Sequence, residues 1–154
     1  MEGKVKAIWL MKLIEFIEWP TNNTDTIIIG VVGKDGPVKY LQSYNNQTIA
    51  TKKVQVRIFK KYPPEVNLKQ CDIIFICKSQ RKFTKRILKG VEKSPIVTAG
   101  EFKGFIDQGG VINFLVIGKH VKFEINQQKA QQVKIRIDSQ ILGHAIRVIK
   151  KKLK

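Results

Sequence analysis

Histidine, cysteine and acidic side chains are scarce in this chain, with two His, two Cys and 12 Asp plus Glu among 154 residues. Neither His120 nor His144 stands at ligand spacing from Cys71 or Cys77, so the common zinc arrangements are excluded and no metal is expected. Both cysteines lie in the apolar run QCDIIFICK, which reads as one strand rising about 3.3 Å per residue. That geometry separates them by roughly 20 Å, beyond the ~7 Å that bridged Cα atoms span. Two buried thiols are the expectation. No apolar run reaches the ~18 residues of a membrane span. The stretch KVKAIWLMKLIEFIEWP is interrupted by Lys12, Glu15 and Glu18, and no small-residue cleavage site follows it.

Catalytic signatures are missing as well. Ser43, Ser79, Ser94 and Ser139 lack a G-x-S-x-G elbow, neither histidine has an evident partner acid, and no GK is followed by Ser or Thr. Glu18, Glu101 and Glu124 are not brought together by spacing alone. The chain reads as a protein that binds a partner, without a cofactor and without turning over a substrate.

What the sequence does have is positive charge, 29 Lys plus Arg for a net +17. Such a surface attracts acidic proteins, anionic lipid or nucleic acid. The basic residues are scattered, with short runs at Lys52-Lys53, Lys60-Lys61, Lys78 to Arg86 and the tail Lys150 to Lys154. No RNP-like aromatic run, finger spacing or basic region with heptads accompanies them, so nucleic acid is not the expected partner. The length suits one domain, residues 1–154, burying roughly two-thirds of the unfolded surface.

Periodicity then sets out an α/β chain. Residues 4–18 place Val5, Ile8, Trp9, Leu13, Phe16 and Ile17 at helical spacing, with Trp19 as the exit before Pro20 and the loop TNNTD. TIIIGVVG (26–33) reads as a central strand buried on both faces, and GPVKYLQSYNN as a short helix with Pro37 in its first turn. VQVRIF (54–59) is a second strand, Pro63-Pro64 a break, DIIFIC (72–77) a third strand, 80–91 a helix and SPIVTAG (94–100) a fourth strand. These β-α-β units predict a parallel-rich sheet flanked by helices on both faces. Runs 111–117 and 121–125 around Gly118-Lys119-His120 predict a hairpin. Asn126 is expected to cap a short helix NQQKAQQ. A terminal amphipathic helix is expected from Asp138 to Lys151, with Ile141, Leu142, Ala145, Val148 and Ile149 on one face.

Candidate binding residues follow from that topology. The turn GVVGKDGP spaces its glycines as GxxGxxG, neither a dinucleotide fingerprint nor a P-loop, which leaves a backbone turn or an anion pocket around Lys34. Lys78-Ser79-Gln80 and Gly100-Glu101-Phe102 follow the third and fourth strands, at the carboxyl end of the sheet where ligands of such folds bind. Gly33, Lys34, Ser79, Gln80 and Glu101 are therefore the residues to test for a small ligand. Helix capping by Ser79 and Glu101 is the plainer alternative.

Three stretches together carry a resemblance: KLIEFIEWP, then Gly100-Glu101-Phe102 followed by Gly109-Gly110-Val111-Ile112, then VKFEINQQKAQQVKIRIDSQIL. From Lys4 to Val148 this pattern resembles the YfiR-like family of bacterial periplasmic proteins. By position Glu18, Trp19 and Pro20 match its helix-end motif, Glu101, Phe102, Gly109 and Gly110 its middle motif, and Phe123, Glu124, Ile125, Asn126, Ile137 and Ser139 its last. The resemblance implies a non-catalytic periplasmic α/β domain that represses an inner-membrane diguanylate cyclase through its sensor region, with sensor kinases as related partners and homodimers among relatives. Export then implies that a signal has been removed, and Met1-Glu2-Gly3 reads as a cloning remnant. The chain departs from the pattern at Lys122, at Lys134 in place of a usual glycine, and at Ile27 to Ile29, where relatives often carry a cysteine. The redox-sensitive disulfide of some relatives is thus not implied here. A partner surface on the C-terminal helix and the preceding block, with Ile135, Ile137, Ile141 and Arg147 as its tests, is the first expectation. A module sensing a small anionic or aromatic effector in the sheet crevice is the second.

Overall fold

The computed structural model describes residues 2–20, 25–62 and 67–150. Met1, residues 21–24 of the expected loop, the break at Pro63-Pro64 and the tail 151–154 lie outside the described residues. Helix α1 covers Glu2–Ile14, a stretch of good helix formers such as Ala7, Leu10, Met11 and Leu13. Its buried stripe is Gly3, Lys6, Ala7, Leu10, Met11, Leu13 and Ile14, rotated from the expected one: Val5 is exposed, and Ile8 and Trp9 are only half-buried. The helix also ends earlier than expected. Ile17–Glu18 form strand β1, antiparallel to β9 (Arg136–Ile137), with Ile17 opposite Ile137. Burying that isoleucine pair outweighs continuing a helix toward Pro20, whose predecessor disfavours the α region.

Among the described residues the main sheet has eight strands, in the order β10 (Arg147–Ile149), β8 (His120–Asn126), β7 (Ile112–Ile117), β6 (Val97–Gly100), β5 (Ile73–Ile76), β2 (Thr26–Val32), β4 (Lys52–Phe59) and β3 (Thr48–Ile49). Five run parallel: β2 (Thr26–Val32), β4 (Lys52–Phe59), β5 (Ile73–Ile76), β6 (Val97–Gly100) and β7 (Ile112–Ile117). All residues of β5 and β6 are buried, as a strand covered on both faces requires. One core layer packs α1, α2 (Val38–Gln42), α4 (Gln127–Gln132) and α5 (Ser139–Leu142) on Ile29, Phe75 and Phe114; the other packs α3 (Thr84–Val91) on Ile74, Ile76 and Phe105. Helices thus flank both faces. The expected helix at 80–91 begins as a 3₁₀ segment over Lys78–Phe83 before α3.

The hairpin forms as expected, β7 against β8 (His120–Asn126), with Gly118 at φ 61° in the two-residue turn. Asn126 caps α4, its side chain accepting from the Lys129 N–H at 2.9 Å. The terminal helix is a correction. Asp138 caps only the four-residue α5, after which Gly143 intervenes and Arg147–Ile149 form β10, parallel to β8. Gly143 is a poor helix interior, and the β-branched Ile146, Val148 and Ile149 suit a strand on the open edge of β8. The expected single apolar face is split: Ile141, Leu142 and Ala145 join the α1 layer, and Ile149 the α3 layer.

Candidate functional site

Chain connections reverse direction between β2 and β5, because β4 lies on one side of β2 and β5 on the other. At the carboxyl ends of an open parallel sheet such a reversal leaves a crevice. Here it continues into a cleft of about 650 Å³ lined by Glu2, Lys6, Asp35, Gly36, Lys78, Arg81, Glu101, Phe102, Lys103, Leu115 and Val116. Glu101 sits at its floor. The Lys6 ammonium lies 2.8 Å from Oε1, and the Lys78 backbone N–H donates to Oε2 at 2.9 Å. Both side chains of this ion pair are buried, so α1 is tied to the end of β6 by two desolvated charges. Gly36 makes room for the carboxylate, since a Cβ there would lie 2.8 Å from Oε2. Asp35 is likewise engaged, accepting from both the hydroxyl and the N–H of Ser79.

Of the five crevice residues read from the sequence, only Glu101 lines the cleft. Gly33 is buried beneath it, its N–H donated to the Phe59 carbonyl at 2.7 Å, and a Cβ there would lie 2.5 Å from that of Cys77. The glycine is needed for close backbone approach, and its N–H is already taken by Phe59. Lys34 is exposed outside the lining, Ser79 is bound to Asp35, and Gln80 keeps a buried Oε1 without a hydrogen-bond partner among the described residues. The sequence reading missed Lys6, Asp35, Arg81 and Lys103. Lys6 had left a signal: it falls one turn before Leu10, on the buried stripe.

The four expected partner contacts divide. Ile135, Ile137 and Ile141 are buried in the α1 layer and pack the interior, which corrects their assignment to an outward surface. Arg147 is about half exposed on β10 and pairs with Asp107, whose carboxyl this guanidinium holds below the usual range.

The profile of the YfiR/HmsC-like family matches residues 3–145. The chain belongs to that family. A search of curated proteins finds no significant match. Among solved structures, a conserved domain protein from Vibrio cholerae is similar with a TM-score of 0.63 and 10% identity, over 95% of this chain and 60% of that one. The ABC domain from Streptococcus pneumonia, solved in complex with L-Trp, gives a TM-score of 0.63 and 16% identity over 93% of this chain and 62% of that one. At these identities the likeness is one of fold, and this chain spans about three-fifths of each of those structures.

Most YfiR/HmsC-like motif positions hold the fold. Trp19 is buried and its indole N–H donates to the Asp72 carbonyl at 3.1 Å, while Glu18 and Pro20 are exposed on either side. Phe102 and Phe105 meet edge to face at 5.4 Å, and Gly109 takes φ 105°. Phe123 packs on Trp9, with ring centroids 5.2 Å apart. Buried Asn113 receives the Phe102 N–H and donates to both the Phe102 carbonyl and the Glu124 carboxylate. Asn126 additionally donates to the Ile106 carbonyl at 2.9 Å, and Ser139 is exposed at the start of α5. Lys134, where the family pattern has glycine, adopts φ 64°, the left-handed residue that closes α4, and the next N–H, of Ile135, returns to the Ala130 carbonyl.

The two cysteines flank β5 and do not lie within it, and both are free and buried. Burial pushes the Cys71 thiol up to about 11 and the Cys77 thiol further still. Since the thiolate is the nucleophile, neither should react with Ellman's reagent in the folded protein at pH 8, and both should titrate in denaturant. Prompt release of a full equivalent from native protein would contradict this burial.

Proposed function

We propose that this protein is a non-catalytic periplasmic regulator that binds the sensor region of an inner-membrane diguanylate cyclase, or of a sensor kinase, and represses it. Membership of the YfiR/HmsC-like family across residues 3–145 is the observation that carries the reading. The contact surface we assign is the β10 edge. Among the described residues it is the last strand of the main sheet, with no partner on its outer side, and it presents exposed Ile146 beside Arg147. The net charge of +17 favours an acidic partner near an anionic bilayer. Self-association into a homodimer belongs to the same proposal.

Affinity capture from membrane extracts of a bacterium carrying the gene, read by mass spectrometry, tests the reading. Wild-type protein is expected to recover a cyclase or kinase, and an Ile146→Asp, Arg147→Gln variant with unchanged melting temperature to lose it. Recovery of neither enzyme class by folded wild-type protein, with cyclic-di-GMP levels unaltered on gene deletion, would overturn it.

A further inference from the structure

We infer that the cleft at the carboxyl end of the sheet is a binding site for a small organic carboxylate with an apolar body. The charges lining it do not cancel evenly. Glu101 is occupied by Lys6 and the Lys78 N–H, and Asp35 by Ser79. Glu2 stands at the rim, 3.7 Å from the same Lys6. Lys78, Arg81 and Lys103, all exposed in this cleft, have no carboxylate partner among the described residues. Three cationic side chains are therefore available to an incoming anion, and the Arg81 guanidinium offers the planar fork that suits a carboxylate.

Apolar side chains complete the cleft. Phe102, Leu115 and Val116 line it, and Val116 is 43% exposed at the outer end of the hairpin although aliphatic. A volume of about 650 Å³ falls in the range of small-molecule sites. Bare phosphate is the poorer fit. The glycine turn beside the cleft has the Gly33 N–H already bonded to Phe59, and an inorganic ion would leave Leu115 and Val116 uncovered. The site stands apart from the β10 edge, so its failure and that of the regulatory reading are separable.

Phenylacetate, its neutral isostere phenylacetamide and inorganic phosphate serve as probes, each titrated into the whole chain at constant ionic strength and followed by amide chemical shifts. Phenylacetate should move the amides of Lys78, Arg81, Lys103 and Val116, and bind at least tenfold more tightly than either of the others. Arg81→Gln with Lys103→Gln, both at exposed positions, should weaken it at least tenfold with the melting temperature unchanged, whereas Lys93→Gln, in the connection between α3 and β6, should not. Phosphate binding as tightly as phenylacetate, equal binding of the amide, shifts confined to other residues, or no binding by any probe would each overturn the assignment.

Discussion

Replacing Glu101 with alanine is expected to lower the unfolding free energy by about 3 kcal/mol. Two consequences add. The Lys6 ammonium loses its partner at 2.8 Å while its side chain is only 6% exposed, and the Lys78 N–H loses its acceptor. Stranding one member of a buried pair costs about 3–5 kcal/mol. The low end applies because the Lys6 stem is long enough to turn its charge out into the cleft. Replacing both members, Lys6→Met with Glu101→Met, should recover most of the loss, since two apolar side chains of similar length leave no orphan charge. Urea denaturation of the three variants decides it. A Glu101→Ala loss under about 1 kcal/mol, or a double variant worse than the single, would mean that the pair does not hold α1 to β6.

The sequence was readable where a local signal sufficed, and an ion pair of this kind gives none. Uninterrupted β-branched runs announced β2 and β5, and the hydrogen-bonding habit of Asn126 announced the start of α4. Each signal is local, made by residues within one turn or one strand. The short strand β3 (Thr48–Ile49) left no such trace. It joins β4 through Ala50 and Thr51 at φ 49° and 70°, a turn normally signalled by Asn or Gly. The stretch after Asp138 misled for a related reason. Ile141, Leu142, Ala145, Val148 and Ile149 fit a helical stripe, and only the open edge of β8, a long-range feature, turns Arg147–Ile149 into a strand. The cleft was half legible. Topology pointed to the loops after β2, β5 and β6, but Lys6 comes from a helix 95 residues before Glu101, and no spacing rule joins them. Burial reversed the reading of Ile135, Ile137 and Ile141 because an amphipathic stripe tells which side is apolar, not what covers it.

The double glycine of the family motif supplies the second large effect. At Gly110 a Cβ would sit 2.1 Å from Cε2 of Phe105, and at Gly100 one would sit 2.7 Å from the same ring, so Phe105 is held between two glycines. The ring is fully buried and edge-on to Phe102. A methyl at position 110 must displace a side chain that has nowhere to go, and overpacking of this kind costs up to about 3 kcal/mol. Gly110→Ala is expected at that value. Phe105→Leu, a smaller apolar side chain, should cost about 1.5 kcal/mol on its own. If the clash is the cause, the two are not additive. Combined, they should be destabilising by at least about 1 kcal/mol less than their sum, because the leucine vacates part of the space that the new methyl needs. Additivity within about 0.5 kcal/mol would instead assign the loss to the backbone at Gly110 itself. The same motif ends at Val111, whose N–H reaches the Thr98 hydroxyl at 3.0 Å and whose neighbour Ile112 opens β7 opposite Ala99. Relief of the Phe105 clash should therefore also restore slow amide exchange at Val111 and Ile112, tying the glycine pair to the pairing of β6 with β7.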